Sequence, residues 1–283
     1  MFQFQNRKEM EALSEALEKL INGEAPETEG ISQDTLPSKV RSQILRLGEI
    51  MKAKDQALGK EKEEIRGMIA DTAHQLRTPL ANMESYLELL ETMDWEEKER
   101  ENYLLALRES EEKIRFLTEG LIKMARLESR IIQIRKEARD LQETLLESIL
   151  QVKKEAEEKH IEIRLEMKAG EQTPHDRQWL GEAVYNLLDN SVKYSEEYGQ
   201  ILMTVVRNEM FTQIRVRDWG RGIEEGEENL VFGRFYRGKN VSGEKGFGLG
   251  LYLTREIVHQ HGGFLRLKRQ EPGLSVSIYL PEE

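Results

Sequence analysis

The stretch Ile69-Ala70-Asp71-Thr72-Ala73-His74-Gln75-Leu76-Arg77-Thr78-Pro79-Leu80 sets its seam residues at Ile69, Ala73, Leu76 and Leu80. Alternating steps of four and three are the spacing of a coiled-coil helix and not of a strand. The run continues through Met83, Leu87 and Leu90, and the same steps return at Leu107, Ser110, Ile114, Leu117, Leu121 and Met124. Between the two runs lies Met93-Asp94-Trp95-Glu96-Glu97, where Asp94 is placed to N-cap a second helix and Glu97 to complete a capping box. Two long helices joined by a short turn make an antiparallel hairpin. One hairpin cannot bury a seam of this length alone, so residues 61–129 are expected to form a homodimeric four-helix bundle.

Upstream, residues 1–60 carry two charged helical stretches, 7–21 and 39–58, around a connector at 22–37 that contains Pro26 and Pro37. Too few apolar residues lie there for an independent core, so this region is expected to extend the bundle. Downstream of about Arg130 the period falls to two, with Ile161, Ile163, Leu165 and Met167 alternating with charged residues. Similar alternation at 201–206, 214–217, 264–268 and 274–280 is interleaved with helical patterns at 140–159, 176–194 and 249–261. Residues 130–283 therefore read as an α/β domain with a mixed sheet.

The chain has 283 residues, of which 42 are basic and 53 acidic, for a net charge of −11. That balance argues against a general affinity for nucleic-acid backbone or an anionic membrane. The complete lack of cysteine excludes disulfides, thiolate metal sites and Cys nucleophiles, and suits a reducing compartment. No apolar run is long enough to span a bilayer, so the chain reads as soluble and cytoplasmic, or as the cytoplasmic part of a membrane-anchored sensor.

Several short segments carry chemistry. His74 follows the seam position Ala73 and so lies about 100° around the helix from it, at the flank of the bundle near water. Thr78, four residues on, shares its face. Pro79 has no N–H for the carbonyl of Gln75, so the helix is expected to bend there. In isolation the segment also fits a surface histidine beside a tolerated proline. Asn186, Asn190 and Lys193 fall at i, i+4 and i+7 and form one stripe opposite Leu180, Val184, Leu187, Leu188 and Val192. Their amide oxygens suit a Mg²⁺ that keeps several waters, and the lysine suits a phosphate, although a hydrated polar face has the same pattern. Asp218-Trp219-Gly220-Arg221-Gly222-Ile223 fixes a carboxylate before two glycines, ready to accept from an amino group. Gly246-Phe247-Gly248-Leu249-Gly250-Leu251 opens a helix whose amides suit phosphate. No GxxxxGK[ST] loop occurs, and His259 and His261 lack partners at ligand spacing, so neither a P-loop nor a metal centre at those histidines is expected.

Taken in order over about residues 60–280, these motifs resemble the sensor histidine kinases of two-component signalling. His74-Gln75-Leu76-Arg77-Thr78-Pro79-Leu80 is similar to the phospho-acceptor box, 186–194 to the N box, and 218–223 to the first glycine box. Phe232-Gly233-Arg234-Phe235-Tyr236-Arg237 is similar to the F box, and 246–251 to the second glycine box. The resemblance implies a dimerisation and histidine-phosphotransfer hairpin followed by a Bergerat-type ATP-binding sandwich, with a mobile lid between Ile223 and Gly246. It implies His74, Gln75 and Thr78 as catalytic residues and Asn186 and Asn190 as holders of Mg²⁺. It places Asp218 on the adenine amino group and Lys193 and Arg237 on the ATP phosphates. Tyr194, Gly220, Gly222, Gly246, Gly248, Leu249 and Gly250 complete the implied nucleotide site. Residues 8–58 resemble more loosely a membrane-proximal linker of the HAMP type. Most of the family has Glu or Asp where this chain has Gln75, and an amide can accept a hydrogen bond but cannot take a proton.

The expected activity is transfer of the ATP γ-phosphoryl group to His74 and on to an aspartate of a separate response-regulator receiver domain, with dephosphorylation of that receiver as a second activity. A phosphatase-dominant or inactive ATP-binding regulator, and a structural dimeric coiled coil with a vestigial nucleotide fold, are the competing readings.

Overall fold

A computed structural model describes residues 17, 36–92, 95–128, 134–168, 170, 172–238 and 246–282. The expected helix at 7–21, apart from Leu17, the connector up to Thr35, and the capping residue Asp94 lie outside the described residues. The chain forms two compact units, one ending at His74 and one running from Gln75 to Glu283. The division falls inside a single helix.

That helix, α1 (Leu36–Thr92), passes through Gly59, Gly67 and Pro79 without interruption. The stretches 39–58 and 61 onward are thus one element. A second helix, α2 (Glu97–Glu128), carries the other seam, and Ser110, Leu117, Met124 and Leu127 on it are buried. Near the turn, Trp95 Nε1 donates to the carbonyl of Leu89 at 2.8 Å, and its ring lies 4.9 Å from that of Tyr103. On α1, Ile69, Leu80 and Leu87 remain 61%, 48% and 47% exposed in the single chain.

The rest of the chain is one α/β sandwich. Its main sheet has the order β2-β4-β5-β7-β6, formed by Glu162–Glu166 (β2), Gln200–Arg207 (β4), Phe211–Asp218 (β5), Leu274–Pro281 (β7) and Phe264–Arg269 (β6). Only β2 and β4 run parallel; the other neighbours are antiparallel. Alternation buries Ile201, Met203, Ile214 and Val216 on one face, against helices α5 (Arg177–Tyr194) and α6 (Gly250–Gln260). Helix α3 (Leu141–Gln151) packs on α5, tied by Ser148 Oγ donating to the Gly181 carbonyl at 3.0 Å. The hydroxyl of Thr254 on α6 donates to the Ala183 carbonyl at 3.3 Å. Asp140 caps α3 and Asp176 caps α5, each accepting amide hydrogen bonds from the first turn.

The structure differs from the periodicity in two places. The helix expected over 140–159 breaks at Val152 (φ −97°, ψ 2°), whose amide bonds back to Ile149 at 3.2 Å, and resumes as α4 (Lys153–Glu158). An antiparallel pair, β1 (Glu137–Asp140) with β3 (Gln172–His175), has no counterpart in the alternation, because each strand has four residues and β3 contains Pro174.

Candidate functional site

Leu180, Val184 and Leu188 hold α5 on the core with no measurable exposure, and this fixes where the opposite face points. Asn186, Asn190 and Lys193 all border one cavity of ≈ 420 Å³. Lys193 pairs with Asp189 one turn earlier at 2.5 Å, and its ammonium lies 5.9 Å from the ring centre of Phe116.

Strand β5 delivers Asp218 as its last residue, at 7% exposure. One carboxylate oxygen accepts from the amides of Gly220 at 3.0 Å and Leu274 at 3.2 Å, and the other from the Ser191 hydroxyl at 3.4 Å. Burial pushes this carboxyl above the ordinary aspartate range, and those donors pull part of the way back. Asp218 has no cationic partner among the described residues, so a ligand amino group would meet a buried acceptor. Gly220 itself does not border the cavity. A Cβ there would run into the carbonyl oxygen of Tyr194, so the glycine lets the loop close on the end of α5.

The cavity's far side is the entry to α6. Gly248 has φ +69°, and a side chain on it would collide with the Tyr236 carbonyl. The N-cap Leu249 supplies no side-chain acceptor, and Gly248, Leu249, Gly250 and Leu251 line the cavity, an arrangement of first-turn amides that suits an anion. Gly246 and Gly222 also line it. The Tyr236 hydroxyl donates to buried Glu227 at 2.9 Å, and the other oxygen of Glu227 accepts from the Glu224 amide at 3.0 Å. This tie brings Arg237 to the wall. Residues 239–245, the middle of the expected lid, lie outside the described residues.

Among the sequence-predicted binding residues, all except Gly220 border this cavity. Sequence reasoning missed the wall supplied by α2: Phe116, Glu119, Gly120 and Lys123. Phe116 stacks on Phe247 with ring centres 6.0 Å apart, and Lys123 pairs with Glu182 at 2.7 Å. Gly120, where Leu249 Cδ1 would lie 2.9 Å from an added Cβ, falls outside the seam and leaves the Leu117–Leu121 step unbroken, so the apolar spacing carried no signal of this wall.

On α1, His74 and Thr78 are exposed, Gln75 is half-buried and Pro79 is buried. Neither the His74 imidazole nor the Thr78 hydroxyl makes a hydrogen bond among the described residues. By contrast, Thr92 and Thr118 donate to the carbonyl four residues back, at 2.7 Å and 2.8 Å.

The donor set suits a hard cation shared with phosphate oxygens better than an all-protein metal cage. Among the described residues no group of three or more His, Asp or Glu could hold a metal. Asn186, however, buries Nδ2 with no partner. Rotating that amide by half a turn presents its oxygen at the same point, where a cation would satisfy it.

Comparison with known proteins gives two family matches. Residues 64–130 match the His Kinase A (phospho-acceptor) domain. Residues 175–283 match the histidine kinase-, DNA gyrase B-, and HSP90-like ATPase family. The chain is 29% identical over 272 residues to the signal transduction histidine-protein kinase/phosphatase MprB of Mycobacterium leprae, covering 91% of this chain and 51% of that protein. It is 31% identical over 228 residues to the sensor protein kinase WalK of Staphylococcus aureus, covering 78% of this chain and 55% of that one. It thus spans about half the length of the curated relatives it matches. In fold, it is similar to the Acinetobacter baumannii histidine kinase AdeS at TM-score 0.61 and 18% identity, over 74% of this chain and 98% of that one. It is also similar to the histidine kinase ThkA in complex with the response regulator protein TrrA, at TM-score 0.59 and 20% identity, over 83% and 67% of the two chains.

Proposed function

Because the chain belongs to the sensor histidine kinases of two-component signalling, we propose that it moves the γ-phosphoryl group of ATP to His74 and then to an aspartate of a response-regulator receiver domain. The observation that carries this reading is the gathering of Asp218, the Asn186/Asn190/Lys193 stripe and the amide end of α6 around one cavity. Asp218 accepts the adenine amino group. The α6 amides, Lys193 and Arg237 take the phosphates, and freeing Lys193 from Asp189 is part of that binding. Asn186 and Asn190 would hold Mg²⁺, which supplies charge neutralisation between the phosphates when bound.

In the transfer itself, a ring nitrogen of His74 attacks the γ-phosphorus and an N–P bond forms. The bond from that phosphorus to the bridging oxygen breaks, and ADP leaves with its electron pair. The ring proton passes to water, since Gln75 can orient the imidazole but cannot accept a proton. The receiver carboxylate then attacks the phosphorus, an acyl phosphate O–P bond forms as the N–P bond breaks, and the departing imidazole takes a proton back from water, which returns His74 to its starting state. The free hydroxyl of Thr78, on the His74 face, favours a second activity in which it orients a water that hydrolyses the acyl phosphate.

The apolar seam left exposed at Ile69, Leu80 and Leu87 supports a homodimeric four-helix bundle. The proposed division is a signalling linker at 1–60, a phosphotransfer hairpin at 61–129 and a catalytic ATP-binding domain at 130–283. No helix among the described residues is long and apolar enough to cross a membrane. The proposed location of the kinase core is the cytoplasm, because ATP and the receiver are there. Incubation with γ-labelled ATP tests the reading. Wild type is expected to take up acid-labile, base-stable label, and His74→Gln none; label that persists on the mutant overturns it.

A further inference from the structure

We propose that Lys159, which does not border the cavity, is a positioning residue for the nucleotide site, acting by capping the carbonyl end of α5. The proposal rests on the reading of that cavity as the ATP site.

The last four carbonyls of a helix have no partner within it. At the end of α5 each is accounted for. Ser191 accepts from the Ser195 amide at 3.1 Å and Tyr194 from the Arg221 amide at 3.2 Å. The two between them, Val192 and Lys193, accept from the Lys159 ammonium at 3.1 Å and 2.8 Å, and a third Lys159 bond goes to the Ser195 carbonyl at 3.2 Å. One half-buried ammonium thus places a donor on each of three converging oxygens, at the negative end of the helix dipole. Nothing else among the described residues serves the Val192 and Lys193 carbonyls outside the helix.

The corner that brings Lys159 there is built at a cost. His160 and Tyr198 both adopt left-handed backbone, φ 53° and 61°, which disfavours any residue with a side chain. Their rings stack 4.9 Å apart, and the Tyr198 amide donates to the Lys159 carbonyl at 2.9 Å. The capped turn holds Lys193 and Tyr194, and the Tyr194 carbonyl is the surface on which Gly220 and Arg221 close. Through that contact the ammonium fixes two sides of the cavity together: the phosphate-facing lysine and the Asp218 loop.

The consequence is specific to binding. Without the cap, the last turn of α5 frays and the Asp218 loop loses its seat, while the α6 amides and His74 are untouched. Lys159→Met in the full chain is expected to raise the KM for ATP in autophosphorylation, and the dissociation constant of a fluorescent ATP analogue, by about ten-fold, the lower end of what lost charge-assisted hydrogen bonds produce. The rate at saturating ATP is expected to stay within about three-fold of wild type, a change of under 1 kcal/mol in barrier. A general loss of structure would lower that rate as well as the affinity.

The absence of cysteine from the chain permits a sharper arm. Lys159→Cys makes a single thiol, which aminoethylation under mild denaturant and refolding converts to a lysine analogue, while carboxamidomethylation leaves it neutral. The aminoethyl form is expected to recover wild-type affinity and the carboxamidomethyl form not to. Affinity unchanged in Lys159→Met, or equal recovery by the two alkylations, overturns the proposal. Asp218→Asn measured alongside separates the two levels: if it too binds ATP normally, the site reading fails; if it alone is weakened, only the role of Lys159 does.

Discussion

The backbone amide of Asp176, the residue that caps α5, donates to Nε2 of His261, the residue that ends the neighbouring helix α6, at 3.2 Å. Nδ1 of His261 bonds the Ile257 carbonyl at 2.8 Å and must carry the ring proton, so the imidazole is neutral with both nitrogens used. His175 repeats the arrangement, with Nδ1 on the Thr173 carbonyl and Nε2 on the Thr144 hydroxyl, each at 2.8 Å. Burial lowers both pKa values below the ordinary 6.5, and the carbonyl bonds oppose this only in part.

A pH dependence of stability follows with a definite sign. Groups whose folded pKa is depressed contribute stability that is complete above the unfolded value and is lost as pH falls toward the folded one. Unfolding midpoints in urea are therefore expected to be flat above about pH 6.5 and to fall below it. His261→Gln, which can still accept the Asp176 amide, is expected to flatten that fall. An acid slope unchanged in both His261→Gln and His175→Gln would contradict the assignment.

For Asp218 the sign is reversed. Its pKa is raised, so its contribution to stability is complete below the ordinary 3.8 and is lost as pH rises through the folded value. At neutral pH the buried charge is a cost kept for binding. Asp218→Asn retains acceptors for the Gly220 and Leu274 amides, so its melting temperature is expected to equal or exceed that of wild type. Its affinity for ATP is expected to fall by about ten- to a hundred-fold, the loss of a charge-assisted hydrogen bond of about 1.5–3 kcal/mol. Calorimetry of both quantities on one sample checks this; a destabilised protein with unchanged affinity is the opposite result.

Thr78 separates the two proposed activities. Its hydroxyl is not used to satisfy the carbonyl freed by Pro79, so it is available to a water. Thr78→Ala is expected to keep autophosphorylation within a few-fold and to slow dephosphorylation of a receiver by about ten-fold, roughly 1.4 kcal/mol in barrier. Thr78→Ser, which keeps the hydroxyl, should behave as wild type. Unchanged dephosphorylation in Thr78→Ala would remove the residue from the mechanism.

What could be read from sequence follows the range of the interactions concerned. Asn186, Asn190 and Lys193 share a helix, so spacing alone gives them a common face. Asp218 and its glycines are local as well, and Gly248 announces a turn. The α2 wall was illegible because Lys123 and Glu182 meet across 59 residues of sequence, and nothing in a seam helix marks which of its outward residues a distant domain will use. Strand β3 was hidden by Pro174 and by its length. Lys159 reads as one more charge at the end of a helical pattern, and only the positions of three distant carbonyls give it a partner. The helix over 140–159 was drawn too long because a single tightened turn at Val152 leaves the apolar spacing almost undisturbed.

The central claim is that phosphate from ATP comes to rest on His74. The peptide Gly67–Arg77, released by trypsin between Arg66 and Arg77, contains one of the chain's five histidines together with Asp71 and Thr72. Digestion at mildly alkaline pH after incubation with Mg²⁺ and ATP, followed by electron-transfer fragmentation, locates a phosphate to a single residue. The account predicts a mass increase of one phosphoryl group on the fragment ions that include His74, and its disappearance after brief acid treatment. Phosphate found on Thr72, or on a peptide from another part of the chain while Gly67–Arg77 stays unmodified, would contradict it.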